Sequence, residues 1–323
     1  MRSQSFPPLS VLAVVASVLL AATMLHAQQL RSSSNEPPKL PTNVAEPDTP
    51  LSDARVPSLK NDAAPSRASA NAATTIAQRE FAVKALTDFL EKYRQAGNRQ
   101  AEAHTLSALG SCYSEMRQQQ KAMEMFQSAL TIWRELGNKE FVASTLAHIG
   151  DVYRQWGFPD RAIGFYRDSL KFYQENPGNA DQSPVMNNLG LSYLMVGDKK
   201  KSVEYLNKAL SSYRAKQDRR GEAFALANLA SAYGFLINDP HKALDFFQES
   251  ITKLELIDDR ASEANTLDLS GAIWVKLGKP EMAALTFQHA LALYSVLGDA
   301  KGQESVRKHQ AMIGKHNTIA SIR

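Results

Sequence analysis

The sequence predicts an all-α fold, a solenoid of stacked helical hairpins, and three observations carry that prediction. An aromatic residue recurs at a fixed step, with Tyr113, Tyr153, Tyr193, Tyr233 and Trp274 spaced 40, 40, 40 and 41 residues apart. Around each aromatic the apolar residues follow a helical period, as in Leu106, Leu109, Gly110 and Tyr113, which fall on one face of an α-helix. Breakers then recur between apolar stretches, at Gly157-Phe158-Pro159, Gly197-Asp198, Asn238-Asp239-Pro240 and Gly278-Lys279-Pro280.

Taken from the N-terminus, the first element is an export signal over residues 1–27. Arg2 precedes an apolar run from Val11 to Leu25, and the small residue Ala27 makes cleavage between Ala27 and Gln28 the expected outcome. A run of this length also suits an uncleaved membrane tether. Both alternatives place the folded part outside the cytoplasm, in the periplasm, the cell envelope or the medium. Residues 28–74 are rich in Pro, Ser, Ala and Asn and lack any hydrophobic period, so they are read as a disordered linker that cannot bury enough apolar surface to offset its ordering entropy. Residues 75–96 form half a repeat, in which Ala82, Leu86, Leu90, Tyr93 and Arg94 align with the second helix of a hairpin.

Five complete repeats follow, at 97–136, 137–177, 178–217, 218–257 and 258–297. Four further series keep step with the aromatic. Leu106, Leu146, Met186, Leu226 and Leu267 precede it by seven residues, and Gly110, Gly150, Gly190, Ala230 and Gly271 by three. Ala122, Ala162, Ser202, Ala243 and Ala283 come nine or ten residues after it, and Phe126, Tyr166, Leu206, Phe247 and Phe287 four residues later still. The last two series belong to a second helix, called helix B here to distinguish it from the aromatic-bearing helix A. The small residues let A and B approach closely, and larger side chains fill the space around those contacts. One hairpin cannot bury such a face, whereas stacked hairpins share a continuous core. One more A-type helix at 298–315 caps the array, and a tail, 316–323, ends it.

The pattern Leu-x-x-Leu-Gly-x-x-Tyr followed by Ala-x-x-x-Phe-x-x-Ala resembles the tetratricopeptide repeat. Its 40-residue step and Leu-Gly-Asn or Leu-Gly-Asp junctions, at 136–138 and 297–299, are similar to the longer-helix variant of kinesin light chains and of bacterial arrays associated with caspase-like peptidase domains. The resemblance covers roughly residues 77–315. It implies a right-handed superhelix that works as a protein–protein interaction scaffold, binding a peptide segment of a partner in a concave groove lined by helix A. Carried over by register, the peptide-binding candidates are His148, Arg154, Asn187, Asn188, Leu191, Leu194, Met195, Phe224, Asn228 and Phe235. Asn188 and Asn228 share a register, where amides can both donate to and accept from a ligand backbone. The apolar candidates serve either as ligand anchors or as packing between helices.

No catalytic signature accompanies the repeats, so no enzymatic activity, cofactor or metal is expected. Gly-rich phosphate loops, His-Glu-x-x-His and Gly-x-Ser-x-Gly are missing from the sequence, and its seven histidines show no paired ligand spacing. A single cysteine, Cys112, excludes an intramolecular disulfide and a multi-thiolate metal site. Net charge is only +4, with no long basic block, so nucleic acid is not an expected partner. Besides the exported scaffold, two readings stay open: the sensor half of a proteolytic or signalling system, and a cell-envelope assembly factor. The oligomeric state is not fixed by the sequence.

Overall fold

The computed structural model describes residues 67–175 and 181–320, with side chains described over 79–175 and 181–311. The export signal, nearly all of the linker and the last residues of the tail lie outside the described residues. Within them the secondary structure is helical, and there is no β-strand. Two compact units are present, of residues 73–175 and 181–320.

The first unit opens within α1, Arg67–Gln95, a helix that begins upstream of the half-repeat boundary expected at residue 75. Two hairpins follow: α2, Arg99–Glu115, with α3, Gln119–Glu135, and α4, Lys139–Gln155, with α5, Pro159–Glu175. Each A helix starts on a side-chain cap, Asn98 accepting from the Ala101 amide and Asn138 from the Phe141 amide, which satisfies donors that the first turn leaves free. Arg94 and Arg99 both reach Glu102, and Arg99 also reaches Glu135, so the junction between α1 and the first hairpin is stitched by charge.

The second unit holds α6, Ser183–Met195, with α7, Lys199–Ala215; α8, Arg219–Ser231, with α9, Pro240–Leu256; and α10, Arg260–Lys276, with α11, Pro280–Leu297. A last helix, α12, Ala300–Ala320, packs on α10 and α11 and runs past residue 315 into the expected tail. Helix α6 begins four residues later than the period would place it. Pro184 is the reason: deeper in a helix it would lack an N–H donor and its ring would strike a carbonyl, whereas in the first turn neither matters.

The core is built on the small-residue series and both helix B series, with Tyr113, Tyr233, Trp274 and Met186 only half-buried at its edge. Ala122, Ala162, Ser202, Ala243 and Ala283 are all 0% exposed, and Phe126, Tyr166, Leu206, Phe247 and Phe287 are at most 1% exposed. Gly110, Gly150, Gly190 and Gly271 lie directly under that second group. A Cβ at Gly150 would sit 2.8 Å from Tyr166, and one at Gly271 would sit 2.5 Å from Phe287, so these helices close to a distance that only glycine permits. The repeated aromatic is capped from helix B by a cation: Lys121 lies over Tyr113, Arg161 over Tyr153, Lys201 over Tyr193 and Lys242 over Tyr233.

Repeat 4 departs from the others inside its A helix. Between Ala232 and Ile237 the chain adopts a π-helical turn, closed by Asn238 in the left-handed region at φ 69°. This segment holds the residue that makes the aromatic-to-small spacing ten instead of nine, so the insertion is absorbed locally and the period resumes in α9. Gly234 makes room for Ile273, since a Cβ there would lie 2.5 Å from its Cδ1. The widened turn leaves the Gly234 carbonyl to accept from Lys276 Nζ at 2.7 Å.

Candidate functional site

In the first unit, the register candidates lie on α4. His148 stacks on Phe126, ring centroids 5.2 Å apart, and stands 4.0 Å from Asp151. Desolvation holds its imidazole below the usual value, with Asp151 opposing the shift. Arg154 is buried. Its Nε donates to the Tyr166 hydroxyl at 3.3 Å, the hydroxyl donates to Asp151 at 2.5 Å, and Arg154 stands 3.7 Å from the same carboxylate. Burial first, then the Asp151 charge, pushes the Tyr166 hydroxyl well above its ordinary range, so it remains a donor. This closed triad pins α4 to α5, and Arg154 is a structural cation instead of the peptide contact expected of it.

The second unit brings a row of amides together. Asn228 Nδ2 on α8 donates to Asn187 Oδ1 on α6 at 2.9 Å, and Asn187 Nδ2 donates to Asn188 Oδ1 at 3.3 Å. The pairing joins residues 41 apart, so the partner of Asn228 is Asn187 and not the register-matched Asn188. Between α10 and α12 the same offset recurs: Asp268 Oδ1 lies 2.8 Å from His309 Nδ1, and Ser305 Oγ donates to Asp268 Oδ2 at 3.0 Å. His309 and Ser305 were not candidates from the sequence, although the 41-residue offset that pairs Asn187 with Asn228 also connects Asp268 with His309. The hydrogen bond to Asp268 raises the His309 imidazole above its usual value, with burial opposing it.

Six of the ten expected contact residues are interior. Leu191 and Leu194 are 0% exposed and Asn228 3%, while Arg154, Asn187 and Phe224 are also buried. Register assigns a face of helix A but not its exposure, and here Arg154 is covered by its contacts with Tyr166 and Asp151, and Asn187 and Asn228 by each other. Phe224 lies under the Arg220 guanidinium, 5.5 Å from its ring, and packs with Ala223 and Leu254. Surface remains at His148, Asn188, Met195 and Phe235. Met195 and Phe235 hold one register at the ends of consecutive A helices, and the π turn carries Phe235 to 37% exposure. That turn was missed, and the ten-residue gap from Tyr233 to Ala243 was its signal.

Tetratricopeptide repeat family models match residues 103–136 and, in overlapping windows, 121–175, 141–215 and 181–256. The chain is a tetratricopeptide repeat protein. No curated protein sequence matches it. Among solved structures it is similar to BtubC (BKLC) from P. vanneervenii, at 19% identity and a TM-score of 0.59, over 68% of this chain and 92% of that one. Aspartyl phosphate phosphatase F from Bacillus subtilis is similar at 14% identity and a TM-score of 0.59, over 72% of this chain and 62% of that one. A Rap protein complexed with competence and sporulation factor gives 14% identity and a TM-score of 0.60, over 68% of this chain and 62% of that one. This tetratricopeptide repeat protein thus spans less than two thirds of the last two, and at these identities the likeness is one of fold. Among the described residues of its repeats no helix is long and apolar enough to cross a membrane, and no group of three or more His, Cys, Asp or Glu side chains is placed to hold a metal ion.

Proposed function

We propose that this protein is an exported interaction scaffold that binds a peptide segment of a partner on the second unit. One observation carries the reading: Met195 and Phe235, in the same register on consecutive A helices, keep apolar surface about two turns along from Asn188 and Asn228. Exposed aromatic and Met side chains of this kind supply binding energy, while Asn188 offers polar groups to a ligand backbone. Asn187 and Asn228 act from behind, fixing the spacing of α6 and α8. The reading draws support from a structurally similar Rap protein solved with competence and sporulation factor. Export rests on Arg2, the apolar run from Val11 to Leu25 and Ala27.

A sensor role is the second reading, favoured by the similarity to a signal transduction ATPase with a tetratricopeptide repeat sensor from Pyrococcus horikoshii, at 15% identity and a TM-score of 0.56. That match spans only 42% of the other protein.

The test is an affinity pull-down from the native envelope fraction, followed by titration of the recovered partner against variants. Phe235→Ala with Met195→Ala should weaken binding by roughly 2 kcal/mol or more, about thirtyfold, while helicity is kept. Unchanged affinity of that double variant would remove the groove from consideration. N-terminal sequencing of the soluble envelope form addresses export, and a chain starting at Met1 in the cytoplasm would refute it.

A further inference from the structure

The outward face of helix B is polar in four repeats and apolar in the fifth. Five positions define it, and on α11 they are Met282, Leu285, His289, Ala292 and Val296, all exposed. The matching residues of α3 are Lys121, Glu124, Ser128, Thr131 and Glu135, and those of α5, α7 and α9 are similarly hydrophilic except for Gly164, Ala215 and Leu256. Leu285 is 62% and Val296 73% exposed, at positions where α3 carries Glu124 and Glu135. Met282 occupies the position from which Lys or Arg covers the repeated aromatic in the four preceding repeats.

The spacing of these five residues is three, four, three and four, an a/d heptad seam along one helix. We propose that α11 pairs with α11 of a second copy of this chain, antiparallel across a two-fold axis, and that the protein is a weak homodimer through this face. A two-fold interface must be complementary to itself, and this seam is. Antiparallel pairing sets Leu285 against Val296 of the other copy and His289 against Ala292, so the bulky imidazole meets a methyl group. It also brings the exposed Lys279 at one end of the seam toward the exposed Asp299 at the other end of its mate. A parallel pair would instead set each His289 against its equivalent and align the two helix dipoles unfavourably. The seam is about 21 Å long at 1.5 Å per residue, so one helix pair buries less than the ~1,200 Å² of a standard complex and dissociates on dilution.

Sedimentation velocity of the full chain across about 1 to 100 μM, a range suited to so small an interface, should show a monomer–dimer equilibrium. Leu285→Glu should raise the dissociation constant at least tenfold without loss of helicity. Adding Val296→Lys to Leu285→Glu should restore dimerisation, because each Glu then faces a Lys across the axis. A wild-type chain that is monomeric throughout, or a dimer indifferent to Leu285→Glu, overturns the proposal. Loss on Leu285→Glu without recovery in the double variant also overturns it and assigns the face to a helix of another protein or to the apolar segment 11–25.

Discussion

At the scale of single residues, the contacts under Phe126, Tyr166, Leu206 and Phe287 decide how closely A and B helices approach. Gly271→Leu forces several heavy atoms into space already held by Phe287, and overpacking of this kind costs about 1–3 kcal/mol. The expected result is a lower urea midpoint with an unchanged m-value. His309 gives a second prediction, with its sign set by the raised imidazole pKa. Because the folded state holds the proton more tightly, its contribution is complete below about pH 6.5, the ordinary imidazole value, and is lost as pH rises through the raised one. The thermal midpoint of wild type should therefore exceed that of Asp268→Asn by more at about pH 5.5 than at about pH 9, and equal gaps at both would show no linkage. The glycine series was legible because it repeats with the period. The Asn187–Asn228 pairing was not, because a one-residue offset on a helix turns a side chain by about 100°, more than register reasoning can lose and still name the partner.

At the scale of elements, the π turn of repeat 4 and Lys276 act as one device. Lys276→Met leaves the Gly234 carbonyl without its charged donor and should cost about 1–3 kcal/mol in thermal or urea unfolding. Deleting Leu236 restores the nine-residue spacing of the other repeats and returns that carbonyl to an α-helical ladder. In the deletion background the same Lys276→Met should cost less than about 0.5 kcal/mol, and the difference between the two costs is the coupling. Equal costs would mean that Lys276 does not depend on the widened turn. The late start of α6 belongs to this scale too. Its signal, Pro184, stood in the sequence, but a strict 40-residue period hides a helix that keeps its place and forfeits its first turn.

At the scale of the whole molecule, the number and order of hairpins were legible, since five independent series repeated in register. The small-residue series and both helix B series proved to be buried throughout, while Tyr113, Tyr233, Trp274 and Met186 are half-buried. Less legible was which part of helix A stays accessible, because exposure depends on the distance between helices far apart in sequence. Circular dichroism of the full chain should be dominated by helix, and a substantial strand signal would contradict the register argued from the repeats. The interruption at 232–237 carries a further consequence, seen in time instead of in space. Amides in the widened turn are held less regularly than those of α10, whose residues from Ser262 to Gly271 are buried on every side. In deuterated buffer they should exchange before those of α10, marking the end of the A helix of repeat 4 as the place where the second unit opens first.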